Sequence, residues 1–357
     1  MQLSETIGHF LSESIPFASW RLPGANEAVT WAGECIELND INVLQNHLPA
    51  FVMHPFNPDS SIPILALKPK WKSEDYVPSQ PVPSFGPYSN GWPAPKKPYT
   101  SSYQDYINGF EQIINALKQK NATKVVLSRV IALPISIQPD VLYVNLLKKY
   151  PRAFVYLFSD GAGQNWVGAS PETLLRTVKG MAETVSLAGT RKSLPNGKPE
   201  RPWEQKEFIE QAIVSEMIEE TLTKAGISAV AIKGPADDPA GPVVHLKTTF
   251  RFRIPQHLSG IGLAQALHPT PAVCGTPTRE AKKIILRTEK HHRSYYTGFL
   301  GPVTDTHNLS LFVNLRCAQF INNECFIYSG GGITESSDPL DEWQETENKA
   351  KTLLDLM

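Results

Sequence analysis

No block of basic residues interrupts this chain of 357 residues: 34 Lys and Arg face 35 Asp and Glu, a formal net charge of -1. Such a balance leaves no electrostatic footprint for a polyanion, so nucleic acid and anionic membrane surfaces are not expected partners. Long apolar runs are missing as well. None approaches the roughly 20 residues that a membrane span requires. The start, residues 1–14, carries Glu5, His9 and Glu13 where a signal peptide would be basic and then apolar. Cysteine is scarce: Cys35, Cys274, Cys317 and Cys325 lie far apart. No short pair exists for zinc or a redox couple, so buried free thiols in a cytoplasmic enzyme are expected and a disulfide scaffold is not. No repeat of fixed period appears.

What is present is a chain 41% hydrophobic and 19% charged, enough for one large core or two ordinary ones. The reading is a single domain over 1–357, α+β, with large and mainly antiparallel sheets packed together and helices outside. Residues 1–54 carry short apolar segments, such as 15–20 and 43–53, expected as strands completing a sheet. From 55 to 100 the chain is a proline-rich surface connection; 11 of its 30 prolines fall between 55 and 98, which argues against regular structure over most of that length. Its aromatics Trp71, Tyr76, Phe85, Tyr88 and Trp92 favour packing onto the body.

Residues 101–357 read as the catalytic core. Ser101 or Ser102 caps a helix in which Tyr103, Tyr106, Ile107, Phe110, Ile113, Ile114 and Leu117 recur at three and four residues. Strands are expected at 123–135, 153–159 and 166–169, the last leading into Ser170-Pro171-Glu172, and another ends at Gly189-Thr190. A second helix spans 204–224, with Phe208, Ile209, Ala212, Ile213, Met217, Ile218 and Leu222 as its apolar residues and Gly226 past its end. A strand over 243–254 carries His245. A helix capped by Ser259, a rigid loop over 268–277 and a helix from 278 towards 290 follow. Strands at 295–303, 309–320 and 325–328 close the chain, with a hairpin turn at Asn322-Asn323.

The stretch 328–349 gathers the chemistry. Gly330, Gly331 and Gly332 follow an apolar strand and leave backbone amides that a carboxylate can approach. Asp338 caps a helix, with Pro339 at its first position and Asp341 as the acidic third residue of a start resembling a capping box. Glu342, Glu345 and Lys349 share one helical face. Taken singly, these residues and Lys124, Glu172, Glu210, His245 and Arg316 are most often structural or solvated. Taken together they suit one site. Carboxylates from two helices can hold a hard cation such as Mg²⁺, arginine and lysine can bind an anionic substrate, and a lysine with a separate glutamate can act as base and acid.

Eight blocks in one order carry a resemblance. They are Lys-Val-Val-Leu-Ser-Arg (124–129), Ala-Ser-Pro-Glu (169–172), Leu-Ala-Gly-Thr-Arg (187–191), Glu-Phe-Ile-Glu-Gln (207–211), Val-His-Leu (244–246), His-Pro-Thr-Pro-Ala-Val-Cys-Gly-Thr-Pro (268–277), Asn-Leu-Arg-Cys-Ala (314–318) and Gly-Gly-Gly-Ile through Glu-Trp-Gln-Glu-Thr. The chain over about 100–357 resembles the chorismate-utilising enzymes: isochorismate synthases, salicylate synthases, anthranilate synthase component I and aminodeoxychorismate synthase component I. Resemblance implies water as nucleophile where Lys124 stands, since anthranilate synthases usually carry glutamine there. Ala188 and the segment Pro271-Ala272-Val273 depart from the aminodeoxychorismate pattern, and Ala272 departs from the threonine of salicylate synthases. An isochorismate synthase serving menaquinone or siderophore synthesis is thereby implied, with a salicylate synthase or a non-catalytic chorismate-binding subunit as alternatives.

The same resemblance implies roles. Lys124 would be the base and Glu172 the acid. Glu210 and Glu345, with Glu342 through water, would hold Mg²⁺. Gly189, Thr190, Arg316, Gly330, Gly331 and Lys349 would anchor carboxylates, while His245, Ala272 and Tyr296 shape the pocket. Gln211 stands where a histidine commonly follows the metal glutamate, which bears on the metal's surroundings. A monomer without an amidotransferase subunit is expected.

Overall fold

Short apolar runs that alternate or run continuous, broken by turn residues, make strand the commonest regular structure among the described residues. The computed structural model describes residues 3–59, 61–75, 95–134, 137–240 and 243–357. In chain order come α1 (Leu3–Ser12), β1 (Phe17–Arg21), β2 (Val29–Leu38), a 3-10 segment (Ile41–His47), β3 (Ala50–His54) and β4 (Ile64–Lys72). Next are α2 (Tyr103–Lys118), β5 (Lys124–Pro134), α3 (Pro139–Lys149), β6 (Phe154–Ser159), β7 (Gln164–Ser170), β8 (Thr173–Val178) and β9 (Met181–Lys192). Then follow α4 (Gln205–Lys224), β10 (Val230–Ala240), β11 (Val243–Arg253), α5 (Gly260–Leu267), β12 (Gly275–Thr276) and α6 (Thr278–Thr288). The chain ends with β13 (Phe299–Asp305), β14 (Asn308–Val313), β15 (Cys317–Ile321), β16 (Glu324–Ile333) and α7 (Pro339–Leu354).

The strands join in the order β10-β11-β9-β8-β14-β13-β3-β4-β2-β1-β6-β7-β15-β16-β5-β12, and these ladders are antiparallel. The sheet folds back on itself. Phe154 on β6 stacks on Phe312 on β14 with ring centroids 4.1 Å apart, although β13, β3, β4, β2 and β1 lie between them in the order. Trp20, Phe51, Tyr156, Trp166, Leu300, Phe326 and Tyr328 are buried in the same cluster between the two halves. Helices cover the outer faces: α4 on β9 and β11, α7 on β16, α2 and α6 on β5. The α+β class and the antiparallel packing expected from the sequence are therefore observed.

Several local expectations need correction. The first segment is a helix, because Leu3, Ile7, Phe10 and Leu11 recur at helical spacing and pack into the core cluster around β1 and α3. Within 43–53 only Ala50–His54 is strand; Asp40 caps a 3-10 segment ahead of it. The proline-rich connection contains β4, placed between β2 and β3. Pro69 is tolerated there because it sits opposite Gly33 at a register shift. Trp71 packs edge-on against Phe10, as expected, whereas Tyr76, Phe85, Tyr88 and Trp92 lie outside the described residues. The strand expected at 295–303 begins at Phe299, and the one expected at 309–320 breaks at Asn314–Arg316, where Arg316 takes a positive φ of 49°. Helix α3 and strand β10 were not expected.

Helix α4 also turns differently. Its buried residues are Gln211, Val214, Ile218 and Leu222, while Phe208 and Ile209 are exposed. Gln211 ties the helix to β11: its carboxamide donates to the Thr248 hydroxyl, and its carbonyl accepts from Ser186 Oγ at 3.0 Å. Gly226, at φ 74°, closes the helix, with Ile227 N–H returning to the Leu222 carbonyl at 2.9 Å. Asn322 and Asn323, both at positive φ, form the expected two-residue hairpin between β15 and β16.

Helix α7 is pinned to β5 by one side chain. Arg129 lies 3.7 Å from the Trp343 ring centroid, donates from Nε to Thr346 Oγ1 at 2.7 Å and pairs with Glu347. Arg129→Ala should cost about 2–3 kcal/mol in urea unfolding through the lost stacking and charged hydrogen bonds. Glu347→Gln, at the solvent side, should cost under about 1 kcal/mol. Equal losses would show that the ring and Thr346 do not hold the helix.

Candidate active site

The site is built on β16. Its glycines pair along β5, Gly330 with Ser128, Gly331 with Leu127 and Gly332 with Val126. The ladder with β15 ends at Ala318–Ile327, so the other edge of the glycines is left for side chains, and Lys349 Nζ donates to the Gly330 carbonyl at 2.9 Å. The missing β-carbons matter more than the amides. A β-carbon on Gly332 would lie 2.5 Å from Lys124 Cε, and one on Gly331 would lie 3.1 Å from Glu342 Oε2. One on Gly330 would meet the Tyr296 hydroxyl at 3.1 Å. Three glycines thus admit a lysine, a glutamate and a tyrosine to one strand.

Lys124, at the start of β5 and 8% exposed, places Nζ 3.6 Å from Glu210 Oε2 on α4. Glu172 sits in the tight link between β7 and β8, held by backbone: its carbonyl accepts Val313 N–H at 3.0 Å, and its own N–H donates to Ser170 Oγ at 3.3 Å. Only 3% of it is exposed. Burial pushes its carboxyl up to about 7, against the pull of a Thr270 hydroxyl at 3.4 Å and of the Lys124 charge. A carboxyl that keeps its proton near neutrality beside a lysine is the pairing that acid–base work requires.

On the other side, Asp338 caps α7 by accepting from the N–H groups of Leu340 and Asp341, and the helix presents Glu342 and Glu345. Ser337 Oγ donates to Glu342 Oε1 at 2.7 Å. Burial and the like charge of Glu345 push the Glu342 carboxyl up, whereas Lys349, 2.5 Å away, holds Glu345 below its ordinary range. Arg316 completes the ring of charge: its electrostatic partners include Tyr296 and Glu345, and burial pulls its guanidinium down. His245 is buried, its Nδ1 3.0 Å from the Gly189 carbonyl, and burial pushes its pKa down, favouring the neutral ring. Gly189 is at φ 61°, with Trp203 and Glu207 filling the space a β-carbon would need. Tyr296 stacks on Tyr328.

Lys124, Glu172, Glu210, Gly189, His245, Tyr296, Arg316, Gly330, Gly331, Glu342, Glu345 and Lys349 are thus linked through a continuous set of contacts and charges. Ala272 joins the apolar core two residues beyond Thr270, and the side chain of Thr190 lies outside the described residues.

A model of the chorismate-binding enzymes matches residues 84–357. The chain belongs to the chorismate-binding enzyme family. It is 31% identical over 270 residues to isochorismate synthase DhbC of Bacillus subtilis, covering 71% of this chain and 68% of that one. Two solved structures share the fold: MenF, the menaquinone-specific isochorismate synthase of Escherichia coli, with TM-score 0.79, 20% identity and coverage of 96% and 88%, and anthranilate synthase component I of Streptococcus pneumoniae, with TM-score 0.72, 19% identity and coverage of 94% and 89%.

In this chorismate-binding enzyme the expected metal trio is arranged unlike a closed metal cluster. Among the described residues no three of His, Cys, Asp and Glu gather into a metal-type group. Instead each carboxylate faces an ammonium: Glu210 with Lys124, Glu342 with Lys206 at 4.0 Å, Glu345 with Lys349. The donors nevertheless fit a hard cation. All are carboxylate oxygens, and Glu342 Oε2 is buried with no hydrogen-bond partner. Gln211 turns away from this group towards Thr248, so its place in the motif fixes α4 to the sheet. Sequence reasoning missed Thr270 and Lys206; the second was legible, standing four residues before Glu210 on one helix. It also missed the buried support beneath β5, where Glu289 accepts from Ser128 N–H at 2.7 Å and from Arg293.

Gly332→Ala tests the strand's role. The added methyl must push Lys124 aside, so the variant should fold with stability within about 1 kcal/mol of the parent yet turn over chorismate about 100-fold more slowly. Parental turnover would show that Lys124 needs no such room.

Proposed function

We propose that this protein is an isochorismate synthase, adding water at C2 of chorismate as the C4 hydroxyl departs. The observation that carries this reading is the buried Glu172, raised to about 7, facing Lys124 across one site. Identity of 31% to isochorismate synthase DhbC supports it.

Arg316 would meet the substrate's carboxylates, with Lys349 adding positive charge from its place between Glu345 and the Gly330 carbonyl. Backbone at Gly189 and along Gly330–Gly332, which carries no side chains of its own, would line the substrate's space. His245, neutral and bonded to Gly189, and Tyr296, packed on Tyr328, shape the pocket around the ring. Lys124, as the neutral amine and not the ammonium, takes a proton from the water whose oxygen bonds to C2. Glu172 gives its proton to the C4 oxygen, which leaves as water, so one water enters, one leaves and no redox change occurs. Glu210, Glu342 and Glu345 would hold Mg²⁺, whose positive charge, when bound, offsets that of the ring carboxylate.

Incubation with chorismate and Mg²⁺ should yield isochorismate; accumulation of salicylate and pyruvate without it would overturn the assignment. Lys124→Ala and Glu172→Gln should each lower turnover by at least about 100-fold while chorismate still binds. Because burial raises the Glu172 carboxyl, its protonated form should titrate away as pH rises through about 7, read by difference infrared spectroscopy of the parent against Glu172→Gln. A Glu172 carboxyl already ionised at about pH 5 would remove it from the acid role.

A further inference from the structure

Lys206 stands one turn before Glu210 on α4 and on the same helical face. Its Nζ reaches to 4.0 Å from Glu342 Oε1 on α7, and its charge also acts on Glu345. From α4 it therefore faces both carboxylates of α7. Glu210 and Glu345 have nearer ammonium partners, Lys124 and Lys349. Glu342 has Lys206, and its second oxygen, Oε2, is 96% removed from solvent with the rest of the residue and unpartnered. Two carboxylates one turn apart repel each other unless positive charge stands close. The Lys206 side chain is 57% exposed, so its long stem can swing into water at little cost.

We propose that Lys206 is the resident counter-cation of this acidic group in the metal-free protein, a placeholder that moves out when a divalent ion enters and thereby sets the affinity for that ion. The inference rests on the reading of Glu210, Glu342 and Glu345 as a cation site. Both charges cannot occupy the mouth between α4 and α7 together, since an ammonium about 4 Å from a divalent ion is repelled by it. Ion binding thus includes the work of displacing Lys206. Lys349 is held differently, fixed to the Gly330 carbonyl as well as to Glu345, which leaves Lys206 as the movable member of the pair.

The test is a Mn²⁺ titration of the metal-free protein, read by the electron paramagnetic resonance of free Mn²⁺. Lys206→Gln should bind Mn²⁺ about fourfold more tightly than the parent, the scale of one exposed ion pair, and Lys206→Arg should stay within about twofold of it. In thermal melts without metal, Lys206→Gln should unfold at lower temperature than the parent, and saturating Mn²⁺ should remove the difference. Unchanged or weaker Mn²⁺ binding by folded Lys206→Gln overturns the proposal, as does an equal melting temperature of the metal-free proteins. Failure of parent and variant alike to bind Mn²⁺ overturns it together with the cation site. If the Mn²⁺ results hold while chorismate is not converted, the placeholder stands and the functional reading falls.

Discussion

Close approach at one strand governs the rest of this structure. A β-carbon at Gly332 would lie 2.5 Å from Lys124 Cε, and one at Gly331 or Gly330 would press to 3.1 Å on Glu342 Oε2 or the Tyr296 hydroxyl. Because these glycines lack β-carbons, a strand third from one end of a large sheet can be met by charged side chains from β5 and from α7. The charges need that strand as much as it needs their absence of bulk. Without a backbone wall, Lys124 and Glu342 would be solvated side chains, and burial would no longer push the Glu342 carboxyl up.

Burial of so much charge demands neutralisation, and the molecule supplies it in pairs. Arg293 and Glu289 are both almost fully buried and hold each other beneath β5, with Ser128 donating to the same carboxylate. Arg191 bonds to Glu204 and Glu207 at the start of α4, and Trp203 beside it donates to Asp237 at 2.7 Å. The Arg191 pairs fix the start of α4, which carries Glu210, and the Arg293–Glu289 pair supports β5, which carries Lys124. Glu172 stands apart from this scheme: its partners are a threonine hydroxyl and the field of a lysine, so burial dominates and the carboxyl keeps its proton. A group left deliberately short of counter-charge is a chemical tool, whereas one that is fully paired is structural support.

The fold alone does not choose the reaction. Solved chains named for isochorismate synthesis and for anthranilate synthesis superpose on this one nearly equally well. What distinguishes chemistries on a shared frame is the set of side chains lining it. Lys124 at the start of β5 and the buried Glu172 after β7 therefore bear on the chemistry more than the strands do.

Much of this was legible in the residues. Alternation and capping located α2, α4, α7 and most strands of the core, and the hairpin at Asn322-Asn323 was set by its two asparagines. The segments misread were those where a local signal competed with tertiary packing: β4, whose prolines mask a strand stabilised by neighbours on both sides, and α4, whose exposed Phe208 and Ile209 look like core. The order of motifs determined by itself which residues could react, because side-chain chemistry is a property of residue type. Only the folded chain decided how charged they are and whom they face. Glu172 keeps its proton because the sheet buries it, and Glu342 looks to Lys206 because side chains of two helices distant in sequence reach each other there; proximity and desolvation are set by packing across hundreds of residues, which no local pattern encodes.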